Sequence, residues 1–133
     1  MLLAAGRGER MRPLSDHTPK PMLPVHGKPL MQWAMESMQR AGVQDLVVNT
    51  AWLGEQIPKH FGSCFDGAAT TPSRKSEDTD RAATATLKPM QMHYSQEGVD
   101  FGGALETAGG IVRGLPMLAD AFWVAAGDVW MPD

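Results

Sequence analysis

The sequence predicts an α/β fold in three layers, a mostly parallel sheet covered by helices on both faces. Three observations carry that prediction. Short apolar runs of strand type alternate with segments of helical periodicity, an alternation that calls for parallel strands joined by right-handed crossovers. The first run passes directly into a turn with two glycines, Gly6 and Gly8. The last run is followed at once by Gly127-Asp128. Reactive segments placed just after strands suit a sheet whose ligand lies beyond the carboxyl ends of its strands, where strand order reverses.

The elements follow in order. Leu2, Leu3, Ala4 and Ala5 read as the end of a buried strand, and the long loop after them is stiffened by prolines at 13, 19, 21, 24 and 29. Pro29 sits where a first helical turn tolerates proline. Leu30, Trp33, Ala34, Met38 and Ala41 then recur on one face until Gly42 ends the helix. Residues 45–50, centred on Leu46-Val47-Val48, read as a buried strand, and residues 53–61 as a short helix weakened by Pro58. From 62 to 88 the chain turns to Ala, Thr, Ser and charged residues, the composition of a flexible surface insertion. Residues 90–95 alternate like a strand, 106–118 read as a helix with Gly109, Gly110 and Pro116 inside it, and 122–126 as the final buried strand.

Composition bounds the class. At 133 residues, 43% hydrophobic and 20% charged, the chain holds one domain around one core. A net charge of -3 argues against a generally basic nucleic-acid binder. The single cysteine, Cys64, allows no internal disulfide, and no Cys/His cluster has zinc-ligand spacing, so a reducing, cytoplasmic setting is expected. No apolar stretch approaches the roughly 18 residues of a membrane span, and residues 1–5 lack the basic flank of a signal peptide, so no membrane partner is expected. Leu2 to Ala5 look like a strand without its beginning, and the chain stops soon after a strand tip. An amino-terminal fragment is therefore expected, with no expectation of its oligomeric state.

The charge is uneven. Arg7, Arg10, Arg12, Lys20 and Lys28 against Glu9 and Asp16 leave +3 on the first 28 residues, so the remainder carries -6. Beside a glycine turn, whose missing Cβ atoms let backbone N–H groups surround phosphate oxygens, a compact basic patch suits a phosphorylated small molecule. On charge alone it also suits a solvated loop. The dinucleotide fingerprint wants a third glycine where Met11 stands, and a Walker A loop wants Gly-Lys-Ser/Thr, which does not occur. His17, His26, His60 and His93 show no ligand-like grouping.

The run LAAGRGERMRPLSDHTPKPMLPVHGKPL resembles the signature of sugar-1-phosphate nucleotidylyltransferases: L-A-(A/G)-G-x-G-x-R-(L/M)-x-P-(L/T), then P-K-P-(L/M)-(L/V)-P-(V/I), then K-P. The match is continuous from Leu3 to Leu30. Downstream, Asn49 to Ile57, Leu105 to Ile111 and Gly127 to Trp130 match in order, most like the N-acetylmuramate-1-phosphate uridylyltransferase branch, with mannose-1-phosphate guanylyltransferase-like proteins as near relatives. The resemblance implies a Rossmann-like α/β/α nucleotidyltransferase fold of the glycosyltransferase-A kind. Residues 1–133 would then be its nucleotide-binding part, without the carboxy-terminal sugar-binding part. It implies transfer of a nucleotidyl group from a nucleoside triphosphate to a sugar 1-phosphate, releasing pyrophosphate. The expected pair is UTP with N-acetylmuramate 1-phosphate; GTP with mannose 1-phosphate, or a nucleotide-binding fragment without turnover, are the alternatives.

Roles follow by position from the same resemblance. Leu3, Ala4, Ala5, Gly6 and Gly8 would border the nucleoside and phosphates. Arg10 would grip the triphosphate and Lys20 the α-phosphate under attack. Glu97, with Gly103 nearby, would read the base edge, and Asp128 would ligate Mg²⁺. The chemistry agrees: a sugar 1-phosphate oxygen is already anionic, so attack on the α-phosphorus needs alignment and charge neutralisation rather than a side-chain nucleophile. Asp128 in Gly-Asp also suits a plain turn.

Overall fold

The computed structural model describes residues 1–67 and 87–129. Seven strands and four helices occur there: β1 (Leu2–Leu3), β2 (Pro24–Val25), β3 (Lys28–Pro29), α1 (Leu30–Arg40), β4 (Asp45–Thr50), α2 (Gln56–Phe61), β5 (Cys64–Phe65), β6 (Met90–Gln96), α3 (Glu97–Phe101), α4 (Glu106–Gly114) and β7 (Ala125–Ala126). The main sheet runs β5-β6-β4-β1-β7. All its pairings are parallel except that of the short edge strand β5 with β6. Strands β2 and β3 form a separate two-stranded hairpin after the proline-rich loop. The predicted mostly parallel sheet is the one observed.

Alternation along β4 sorts the two layers. Leu46 and Val48 join Leu2 and Ala4 from the β1 segment, Met90 and Met92 of β6, Met31, Ala34 and Met35 of α1 and Ile57 of α2 in one apolar core. Asn49 faces α4, where a Cβ on Gly110 would lie only 2.6 Å from the Asn49 amide nitrogen. One face is thus sealed by α1 and α2 and the other approached closely by α4. That approach explains the glycine, which propensity alone would not put inside a helix.

Several boundaries differ from those expected. Of the expected α1 face, Ala34 is buried and Met38 packs against the core, while Leu30 and Trp33 are half-buried and Ala41 is exposed; Met31 and Met35 complete the buried stripe. Trp33 turns instead to the hairpin, its indole N–H donating to the Val25 carbonyl at 3.1 Å while Lys28 lies 3.6 Å over its ring. The second helix begins at Gln56 rather than at 53, after a turn held by Gly54 and Ala51. The fourth ends at Gly114, and residues 115–117 tighten into a 3-10 turn around Pro116. The last strand shrinks to Ala125–Ala126, at the sheet edge, with Trp123 84% exposed. The expected insertion opens with the described strand β5, and residues 68–86 lie outside the described residues.

Candidate active site

Strand order reverses between β1 and β7. From β1 the chain builds β4 and β6 on one side and returns to add β7 on the other, with Leu2 and Leu3 paired to Val48 and Asn49 and also to Ala125 and Ala126. Beyond the carboxyl ends of these strands lies a cleft of about 1100 Å³. Leu3, Ala4, Ala5, Gly6, Gly8, Arg10, Lys20 and Asp128 all line it, together with Arg7, Glu9, Met11, Pro21, Asn49, Ala104, Glu106, Thr107 and Ala126.

The backbone makes one wall of the cleft. The Leu3 carbonyl accepts from Gly127 N–H at 2.8 Å, and Ala4 N–H donates to Asn49 Oδ1 at 2.8 Å. Past that point pairing stops: among the described residues, the N–H groups of Ala5, Gly6 and Arg7 have no hydrogen-bond partner. Successive unpaired N–H groups at a glycine turn form a concavity suited to anions. Gly8 is in the left-handed region at φ 67°, and a Cβ there would sit 2.9 Å from the Lys20 Cβ, so the loop lies directly against the lysine's backbone segment. Ser15 Oγ clips the loop by donating to the Gly8 carbonyl at 2.7 Å, and Arg7 stacks 4.3 Å over the Trp52 ring, whose N–H donates to the Ser15 carbonyl.

Lys20 and Asp128, 108 residues apart, meet in this cleft with Nζ donating to Oδ2 at 2.6 Å. Their side chains remain 27% and 35% exposed, so both are reachable from the opening. Prolines 19 and 21 flank the lysine and are buried, fixing where it projects. Arg10 sits exposed on the short 3-10 turn Glu9–Met11 that closes the glycine loop.

Glu97 and Gly103 stand apart from the cleft lining. Glu97 is fully buried: Oε1 accepts from Asn49 Nδ2 and Oε2 from Leu105 N–H, each at 2.8 Å. A carboxylate with both oxygens engaged inside the fold does not present itself to a base edge. Lys28 is also turned away, paired with Glu36 beside Trp33. The residue that sequence reasoning passed over is Asn49; the signal was a polar side chain ending the apolar run Leu46-Val47-Val48.

No group of three or more His, Cys, Asp or Glu among the described residues is placed to hold a metal ion. No described helix is long and apolar enough to cross a membrane.

Comparison with known proteins places this geometry. The family model for nucleotidyl transferase matches residues 1–132. The N-acetylmuramate alpha-1-phosphate uridylyltransferase of Neisseria meningitidis serogroup B is 45% identical over 97% of this chain and 46% of that protein. Its counterpart by name in Caulobacter vibrioides is 30% identical over 98% of the chain and 46% of that protein. The UTP--glucose-1-phosphate uridylyltransferase of Synechocystis is 34% identical over 96% of the chain and 30% of that protein. Among solved structures, a CTP:phosphocholine cytidylyltransferase from Streptococcus pneumoniae is similar over 74% of this chain and 33% of its own, with 24% identity and a TM-score of 0.45. The chain spans less than half the length of these relatives. With a family match over nearly every residue and a 45% identical relative, the chain belongs to the nucleotidyl transferase family.

Proposed function

We propose that the chain carries the nucleotide-binding cleft of an enzyme that transfers a uridylyl group from UTP to N-acetylmuramate 1-phosphate. The observation that carries this is the meeting of Lys20 and Asp128 at 2.6 Å beside the unpaired N–H groups of the glycine turn. The names of the Neisseria and Caulobacter relatives support the choice of UTP and of the sugar.

In this reading the N–H groups of Ala5, Gly6 and Arg7 receive phosphate oxygens, and Arg10 adds a cation at the mouth of the loop. Lys20 lies where the α-phosphoryl group is brought, and its ammonium offsets the negative charge that builds on those oxygens as the sugar phosphate attacks. A preorganised charge of this kind lowers the barrier by ~3–4 kcal/mol. No proton need be taken from the attacking oxygen, so the reaction asks for no side-chain nucleophile and base.

Magnesium is part of the proposal. Mg²⁺ keeps several waters and is bound through one or two carboxylates together with substrate phosphates, so a single part-exposed carboxylate, Asp128, suits it in the presence of a triphosphate. When bound, it would neutralise phosphate charge. The carboxylate that would hold the ion is the one that pairs with Lys20 here. The free, exposed thiol of Cys64 supports a reducing, cytoplasmic setting for the enzyme.

Pyrophosphate release tests the function. UTP with N-acetylmuramate 1-phosphate is expected to give Mg²⁺-dependent pyrophosphate in this protein or in one extended to its relatives' length; absence of turnover with that pair in both overturns it. Turnover with GTP and mannose 1-phosphate instead would move the assignment to the guanylyl branch. The presence of one cleft carboxylate beside Lys20, without a metal-holding group among the described residues, favours a second reading, a chain that binds nucleotide without turnover. Calorimetric binding without pyrophosphate release would select it.

A further inference from the structure

A chain of side-chain hydrogen bonds runs beneath the cleft. Ala4 N–H donates to Asn49 Oδ1, Asn49 Nδ2 donates to Glu97 Oε1, and Leu105 N–H donates to Glu97 Oε2, each at 2.8 Å. Asn49 is 3% exposed and Glu97 fully buried. Ala4 opens the glycine-turn wall, whereas Leu105 lies between Ala104 and Glu106 on a separate stretch of the lining. Two walls from distant parts of the sequence are therefore joined through one amide and one carboxylate.

The donor and acceptor pattern permits a single arrangement. A backbone N–H at Ala4 requires the amide oxygen, which turns Nδ2 toward Glu97, and the carboxylate accepts there and from Leu105. Rotating the amide would set donor against donor at one end and acceptor against acceptor at the other. The space is closed as well. A Cβ on Gly110 would stand 2.6 Å from Asn49 Nδ2 and 2.7 Å from Glu97 Oε1, and one on Gly98 would stand 2.6 Å from the Ala51 carbonyl.

We propose that Asn49 and Glu97 are a positioning pair that sets the separation of the glycine-turn wall and the Ala104–Thr107 wall, and so the fit of the nucleoside triphosphate between them. This rests on the cleft being the nucleotide site. Glu97 acts on the nucleotide through Asn49 and Leu105 and makes no contact with the base.

A matched swap tests it. Asn49→Asp alone faces a carboxylate with Glu97. Glu97→Gln alone leaves either Asn49 Nδ2 or Leu105 N–H without an acceptor. In the double variant the carboxylate introduced at position 49 accepts from Ala4 N–H and from the amide introduced at position 97, whose oxygen accepts from Leu105 N–H. The chain of bonds is then whole again with its charge moved. Three quantities are read in the wild type and all three variants: UTP affinity by calorimetry, hydrogen exchange at the Ala4 and Leu105 amides, and melting temperature. Each single variant is expected to weaken UTP binding about tenfold and to expose both amides, and the double to return within about twofold of wild type with both amides protected. Protected amides with UTP binding still weak in the double variant would show that the side chains at 49 and 97 act on the ligand by their own contact or charge rather than by setting the walls, and would overturn the proposal. So would single variants that bind UTP as the wild type does, or a double variant that fails to fold. Should the wild type bind no nucleotide, the function proposed above falls, and the amide pattern reports separately whether the pair ties Ala4 to Leu105.

Discussion

Gly8 shows at the level of one residue how little room the glycine loop leaves. Its left-handed backbone and the 2.9 Å approach to the Lys20 Cβ penalise any side chain there. Gly8→Ala is expected to cost about 1–3 kcal/mol of stability and to displace Lys20, and denaturant titration with UTP calorimetry checks both effects. Asp128 offers a prediction of opposite sign. Because it holds Lys20, Asp128→Asn is expected to tighten metal-free UTP binding about two- to fivefold, the equivalent of a part-exposed ion pair, while reducing Mg²⁺-dependent turnover. Unchanged affinity in the presence of a chelator would remove the latch between these two residues. Arg10, Lys20 and Asp128, singled out by contiguous motifs, all line the cleft. The Asn49–Glu97 bond joins residues 48 apart and leaves no trace in spacing. A carboxylate near a motif therefore looked like a ligand contact, when burial makes it an internal one.

At the scale of elements, the four main parallel strands and their alternation with helices were readable, while the short strands β2, β3 and β5 and most other element ends were not. The β4 boundaries coincide with the apolar run that predicts them. For α1, periodicity located the helix and caught Ala34 and Met38 of its core face but missed Met31 and Met35, because Trp33 counts as apolar yet spends its N–H and its ring on the hairpin. Met35 belongs to the true stripe and is fully buried, so Met35→Ala is expected to lower stability by about 2–5 kcal/mol in denaturant melts, against less than half that for an exposed Ala41→Ser control. β6 carries the chain's one tyrosine, Tyr94, whose hydroxyl donates to the Gly62 carbonyl at 2.6 Å. Half-burial pushes its phenol up to about 12. The folded state thus holds this proton more tightly than the unfolded chain, whose phenol has the ordinary value near 10. The stabilisation is complete below about pH 10 and is lost as pH rises from there toward 12. Ultraviolet titration of phenolate absorbance should show ionisation delayed past about pH 10, and Tyr94→Phe should abolish that part of the alkaline stability loss. Ionisation near the ordinary phenol value in the folded protein would contradict this.

For the whole molecule, the arrangement β5-β6-β4-β1-β7 puts the switch in strand order between β1 and β7, and so brings the two motif-bearing loops, 108 residues apart at Lys20 and Asp128, to one cleft. The sequence put both motifs directly after strands, but that the first and last strands are neighbours comes from the sheet order. The net charge of -3 concealed a basic segment, of which Arg7, Arg10 and Lys20 line this cleft while Arg12 and Lys28 pair with Asp16 and Glu36. The proposed function requires this cleft to grip the phosphates of a nucleoside triphosphate through Lys20 and Arg10. The most direct measurement is calorimetric titration of UTP with Mg²⁺ into the wild type, Lys20→Ala and Arg10→Ala, with melting temperatures confirming that all three are folded. Binding in the wild type, weakened by about tenfold or more in each variant, is the predicted result; equal affinity in all three folded proteins would contradict it.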